Sequence, residues 1–241
     1  MAAKRVVVIT GAAPYLGGPS TWRPLRQAAP DLSFIEIDTL DFSGAADVSA
    51  ACRQAILSAA HDADCVIAHN TAAKPAIEAL AVIDRAVQLV LLSPMLVRRS
   101  TTALQIVRSL IDTSIGKRAL TAIARSKQMR LLNDRQFLRK HVALLVGEAY
   151  ITDALLQEAA ARVTDPRTTR SVERTAEIVR AIADPIDPAL DAKVHRTVLV
   201  GNSPLDRKTA ARMPAIILRN VWSAPMIEAP QVVAQVLRDL L

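Results

Sequence analysis

The strongest constraint on this chain is a set of short apolar, β-branched runs, each bounded by turn signals: Val6–Ile9, Cys65–Ala68, Val87–Leu92, Thr197–Val200 and Ala215–Leu218, with a shorter run at Ser33–Ile37. A strand with one wet face alternates apolar and polar residues. These runs are apolar nearly throughout, as strands buried on both faces of a parallel sheet are. Such a sheet needs helices on both sides, and helical patterns lie between the runs, at Val48–Ala60 and Ala73–Asp84 among others. The last segment, Pro230–Leu241, repeats Val232, Val233, Val236, Leu237 and Leu240 at the spacing of one helix face, with Pro230 tolerated in the first turn. The order predicts an α/β fold with a doubly wound, mostly parallel sheet.

Between the third and fourth main runs the pattern changes. Leu104–Ile111, Arg118–Leu132, Phe137–Val146, Ile151–Val163 and Val172–Ala183 all read as helices, with Pro166, Pro185 and Pro188 punctuating the second half. This divides the chain into a core of 1–97 and 192–241 and an insert of 98–191. The insert either completes the single fold or forms a helical cap over the carboxyl ends of the strands, where ligands bind in open α/β sheets.

The insert also holds the charge. The chain has a formal net charge of +7, yet Arg98 to Arg180 alone contains 16 Lys/Arg against 8 Asp/Glu. The remainder is close to neutral. A basic insert steers an acidic or carrier-bound ligand, or is simply a set of helices with solvated faces. Aromatic residues make up 3% of the chain and no binding motif occurs, so nucleic acid is not expected as a partner. No apolar run reaches the roughly 18–20 residues that span a bilayer. The start, Met1-Ala2-Ala3-Lys4-Arg5, runs directly into the first strand without a signal-peptide pattern, so a cytoplasmic location is the default expectation. Cys52 and Cys65 are too few for a disulfide framework, and no His/Asp/Glu cluster has metal-ligand spacing. The expected partner is a small-molecule substrate; a homodimer is left open.

Several landmarks fall in a familiar order. Val6-Val7-Val8-Ile9-Thr10-Gly11 is followed by Trp22-Arg23-Pro24-Leu25 and Ile37-Asp38, then by Asp64-Cys65-Val66-Ile67-Ala68-His69-Asn70-Thr71-Ala72-Ala73. Leu89-Val90-Leu91-Leu92-Ser93-Pro94, Thr197-Val198-Leu199-Val200-Gly201 and Ser223-Ala224-Pro225-Met226-Ile227-Glu228-Ala229-Pro230 complete the series. Over nearly its whole length the chain resembles the α/β-hydrolase-fold superfamily. The resemblance places Asn70 at the nucleophile elbow, between the small residues Ala68 and Ala72 that a sharp strand-to-helix turn requires. It places Ser223 where the catalytic histidine stands, and Gly201-Asn202-Ser203-Pro204-Leu205-Asp206 where the acid loop lies.

The departures decide the chemistry. Asn70 cannot form an acyl-enzyme as serine does, Ser223 cannot act as a base near neutral pH, and Asp206 sits two residues beyond the expected acid position. Hydrolysis by double displacement is therefore not expected. The oxyanion hole of this fold uses backbone N–H groups, here those of Thr71 and of Ala12 or Ala13, which need no particular side chain. The expectation is a non-hydrolytic enzyme of isomerase, cyclase or lyase type acting on a carbonyl-containing small molecule, with a biosynthetic intermediate as one candidate. Asn70 would orient the ligand, and the base is Asp206, His69 or the substrate itself. Ser93 follows a strand and faces either the site or the next segment. No cofactor is implied. The alternatives are a catalytically inactive scaffold for binding, and a nicotinamide-dependent oxidoreductase. The last resemblance rests on Thr10-Gly11-Ala12-Ala13-Pro14-Tyr15-Leu16-Gly17, which is similar to the glycine-rich turn of short-chain dehydrogenases. Pro14 inside that turn and Ala154, where a lysine should follow Tyr150 by four residues, count against it.

Overall fold

The fold was analysed in a computed structural model that describes residues 3–11, 15–97 and 102–241. Six strands form one all-parallel sheet: β1 Lys4–Thr10, β2 Leu32–Asp38, β3 Cys65–His69, β4 Gln88–Leu92, β5 Arg196–Val200 and β6 Ile216–Ile217. Their spatial order is β2-β1-β3-β4-β5-β6. From β1 the chain turns to one side to make β2, then crosses back to place β3 on the other. The loops leaving β1 and β3 therefore diverge, which opens a crevice at their carboxyl ends.

The apolar runs divide by parity into two cores. Val6, Val8, Cys65, Ile67, Val90, Leu92 and Leu199 face one side. There they meet Trp22 and Leu25 of α1 (Pro19–Ala28), Met226 of α12 (Pro225–Glu228) and Val233 and Leu237 of α13 (Pro230–Leu240). Val7, Ile9, Val66, Ala68, Leu89, Leu91, Val198 and Val200 face the other. They pack on Cys52 and Ile56 of α2 (Val48–Ala60) and on Ala73, Ala76, Ile77 and Leu80 of α3 (Ala73–Leu80). Burial of both faces is what the continuous apolar runs require.

Among the described residues, seven α-helices lie between β4 and β5: α4 Thr102–Asp112, α5 Ser114–Asn133, α6 Arg135–Ala143, α7 Asp153–Thr164, α8 Pro166–Glu173, α9 Thr175–Ala183 and α10 Pro188–Lys193. Leu131, Leu138, Val142, Leu155, Leu156 and Val163 from these helices join the same core as α1 and α13. Polar contacts tie the insert to the strand ends as well. Arg162 forms a two-pronged pair with Asp38, at 2.8 Å on each arm, between side chains only 10% and 19% exposed. Burial alone would raise the Asp38 pKa, but hydrogen bonds from Arg162 and the Leu40 amide, with the Arg162 and Arg167 charges, bring it below its usual value.

Several elements differ from the sequence reading, among them the Ala73–Asp84 pattern, which is helical only to Leu80, and α1, which the apolar pattern does not mark. The Val172–Ala183 pattern is two helices, because Arg174 leaves helical geometry while its guanidinium reaches the Ala46 carbonyl at 2.7 Å. The run Ala215–Leu218 is paired only over Ile216–Ile217 and is exposed there, as an edge strand rather than a buried one. A helix that the apolar pattern missed, α11 (Pro204–Ala210), follows β5 directly. Among the described residues no helix is long and apolar enough to cross a membrane.

Candidate functional site

Strand β3 ends on His69, and the chain then turns sharply through a 3-10 segment, Asn70–Ala72, into α3. Asn70 takes φ +56°, a left-handed conformation that asparagine tolerates better than most side chains. Ala68 and Ala72 are buried on either side of it. Gly11 closes the turn from the β1 side, its N–H donating to the His69 carbonyl at 3.1 Å. A Cβ on Gly11 would lie 2.3 Å from the Ala72 nitrogen and 2.5 Å from Thr71 Oγ1, so only glycine allows this approach. The elbow expected from Ala68-His69-Asn70-Thr71-Ala72 is formed.

Four strand ends converge beside it. Asn70, His69, Ser93, Asp206 and Ser223 are all at least 95% buried. His69 donates from Nε2 to the Ser223 carbonyl at 3.1 Å, which leaves Nδ1 as the unprotonated nitrogen, without a partner among the described residues. Burial drags its pKa down to about 4, only partly offset by the Ser223 bond, so the ring is neutral at physiological pH. Ser93 has φ +44° and donates its backbone N–H to the Leu199 carbonyl at 2.8 Å. The Asn70 carbonyl accepts from the Met95 N–H at 3.1 Å, which joins the elbow to the β4 loop.

Asp206 lies in the first turn of α11, where its amide donates to the capping oxygen of Ser203 at 3.1 Å. The cap turns the carboxylate inward, and Oδ2 accepts from the Gly201 N–H at 3.3 Å. Burial pushes its pKa up; the hydroxyls of Ser203, Ser93 and Ser223 and the Gly201 amide oppose the rise without cancelling it. Asp206 is thus in the neighbourhood of position 223 despite its offset in sequence. A residue missed by sequence reasoning, Glu228, holds that position. Its carboxylate accepts from the backbone N–H groups of Trp222 (2.5 Å), Ser223 (3.1 Å) and Ala224 (2.8 Å).

Among the described residues, Asn70 Oδ1 and His69 Nδ1 have no hydrogen-bond partner. A buried polar atom left so costs about 1–3 kcal/mol, and two on adjacent residues of the elbow point to a site rather than a packing element. The neighbouring cavity, of about 510 Å3, lies on the α3 side of the elbow, beneath α9 and beside the start of α2. Thr71 lines it, with Gly11 and Ala72; Asn70, His69, Ser93, Asp206 and Ser223 do not. Thr71 is the second residue of the 3-10 turn, so its amide has no partner within the turn. Ala12 and Ala13, the other expected amide donors, lie outside the described residues. The described residues contain no cluster of His, Cys, Asp and Glu able to hold a metal ion.

No protein-family profile matches the chain, and no curated protein is similar to it in sequence. Solved structures are similar in shape. A serine hydrolase involved in carbazole degradation, the CarC enzyme, superposes with TM-score 0.66 at 16% identity, covering 98% of this chain and 90% of its own. A serine hydrolase from the polyaromatic-hydrocarbon-degrading bacterium Cycloclasticus zankles gives TM-score 0.62 at 11% identity, covering 98% and 88%. MenH from S. aureus gives 0.55 at 9%, covering 100% and 94%. With its all-parallel sheet, its strand order and the left-handed elbow after β3, the chain has the α/β-hydrolase fold.

Proposed function

We propose that the protein is a non-hydrolytic enzyme, of isomerase, cyclase or lyase type, that binds a carbonyl-containing small molecule in the cavity beside the elbow, with residues 98–191 as its cap. The observation that carries this reading is that the cavity wall includes Gly11 and Thr71, the residue whose amide would serve as the oxyanion donor, while Asn70, Asp206 and Ser223 are not on it. A backbone donor polarises a carbonyl whatever stands at the nucleophile position. Asn70 and Ser223 supply neither nucleophile nor base, which removes ester hydrolysis by the usual route. The cavity is lined by no residue of α5 or α6, the most basic helices, so their charge would act on the approach of an acidic or carrier-bound substrate and not on its bound pose.

A second reading is a binding protein without chemistry, favoured by the absence of Asn70, His69, Ser93, Asp206 and Ser223 from the cavity wall. The oxidoreductase reading has less support. Ser20, in the first turn of α1, donates its N–H to Glu158 Oε2 at 2.7 Å, and Gly18 packs on the same carboxylate. The helix end that would receive a pyrophosphate already carries an anion. The test is to incubate the protein with activated esters and, separately, with ketones in D2O. Deuterium uptake at the α-carbon without ester turnover supports the enzyme; ester turnover abolished by Asn70→Ala would overturn it.

A further inference from the structure

Resting on the reading of a carbonyl-binding enzyme, we propose that the reactive centre of the cavity is the Lys74–Glu78 pair of α3, with Glu78 as the base and Lys74 and the Thr71 amide as the stabilisers of an enolate. Thr71, Lys74 and Glu78 are spaced three and four residues apart, so the elbow turn and the helix that follows it present all three on one face. All three line the cavity. Lys74 Nζ lies 3.8 Å from Glu78 Oε1, and the two side chains are only 18% and 15% exposed. The ammonium also donates to the Ala181 carbonyl of α9 at 3.2 Å, which holds it beneath the helix that roofs the cavity.

The other charged groups on the wall are engaged elsewhere. Asp47 caps α2 through the Ala50 amide, Arg180 pairs with Asp112 and Asp184 with Arg108, and Glu177 pairs with Arg174. Among the described residues, Lys74–Glu78 is the ion pair with both members on the wall. Ser43 lines the same space, is 4% exposed, and its hydroxyl has no hydrogen-bond partner among the described residues, which suits it to take a second oxygen of the ligand.

The substrate class is a carbonyl compound with an acidic α C–H. In the step, the α C–H bond breaks, the proton passes to a Glu78 carboxylate oxygen, and the electron pair moves onto the carbonyl oxygen, where Lys74 and the Thr71 N–H receive the charge. Return of the proton from Glu78 regenerates the carbonyl, and in D2O it returns as deuterium.

The experiment follows α-deuteration of cyclohexanone and 1-indanone by proton NMR with the full-length protein. The wild type is expected to exceed the buffer blank. Glu78→Gln is expected to lower the rate by about 100-fold or more, the scale of a lost general base. Glu78→Asp should restore part of that rate, and Lys74→Arg should retain more than Lys74→Met. Melting temperatures of all variants separate a lost proton acceptor from a lost fold. Exchange that survives Glu78→Gln and Lys74→Met but disappears in Asp206→Asn overturns the assignment and leaves the enzyme reading intact. No exchange by the wild type with either ketone overturns both.

Discussion

The imidazole of His69 is hydrogen-bonded through Nε2 to the main-chain carbonyl of Ser223, 154 positions later in the chain. The residue before the elbow therefore fastens the loop that begins at Ser223. The three amides gathered by Glu228 hold the same loop.

Burial of the His69 ring, only partly offset by that bond, makes stability depend on pH in a defined window. In the unfolded chain His69 titrates near 6.5, and in the folded protein near 4. Above pH 6.5 neither state binds the proton and nothing is lost. Between pH 6.5 and 4 only the unfolded state binds it, so stability falls as pH falls, by about 1.4 kcal/mol per unit and about 3 kcal/mol in all. Urea unfolding at pH 7.5, 5.5 and 4.5 should show this slope, and His69→Gln, which keeps a donor for the carbonyl, should flatten it. Equal slopes in the two proteins would exclude His69 as the source.

Asp206 should behave in the opposite sense. Its folded pKa is raised, chiefly by burial, so the ionised native state is penalised at neutral pH and relieved as the group protonates. Asp206→Asn keeps an acceptor for the Gly201 amide and removes the charge. Its melting temperature should exceed that of the wild type at pH 7, the gain shrinking toward acid. A drop at pH 7 would mean that the carboxylate is a structural anchor.

The relay positions should still be close enough to be refilled. Asn70→Ser combined with Ser223→His restores a nucleophile and a base beside Asp206. The double variant is expected to hydrolyse p-nitrophenyl acetate on the order of 10-fold faster than either single variant, a modest share of what a general base supplies. A double variant no faster than the singles would show that the loops no longer hold catalytic geometry.

Gly11→Ala places a methyl group against the backbone of Thr71 and Ala72 as well as against Thr71 Oγ1. Denaturant unfolding should register a loss of about 1–3 kcal/mol, typical of overpacking. The same variant should disturb the Thr71 wall of the cavity and weaken any ligand found there.

The Asp38–Arg162 clasp is testable by a double-mutant cycle. Removing either partner leaves a poorly solvated charge, at a cost of about 3 kcal/mol, and removing both should cost less than the sum by at least ~1 kcal/mol. Additive losses would show that the two side chains are not coupled.

Much of this fold can be read from residue order. The parity of Val6 to Ile9 and of Leu89 to Leu92 predicts a sheet buried on both faces, and both faces are buried. Val48–Ala60 is a helix over those same residues, with Asp47 as its cap. The elbow could be placed because a turn that tight restricts its neighbours to small side chains. Other elements leave weaker traces. Helix α1 carries Pro24 in its interior and little apolar content outside the buried Thr21, Trp22, Leu25 and Ala28. Helix α11 is announced only by Ser203-Pro204-Leu205-Asp206, a capping pattern that also explains why Asp206 turns inward. Lys74 and Glu78 look like an ordinary solvated pair on a helix until α9, a hundred residues later, covers them. No local pattern encodes that encounter. The same holds for Glu228, whose three amide partners make sense only once the β6 loop is folded back over α12.

Glu158, on α7, stops the open amide end of α1. A core helix that borrows its terminal anion from the insert cannot be separated from it by cutting the chain. Excision of 98–191 would expose the first turn of α1 together with the apolar side chains of the α1–α13 core on which Leu155 and Leu156 pack. The strands and the helices of 98–191 share one buried apolar core, so the two should unfold in a single transition followed by denaturant titration.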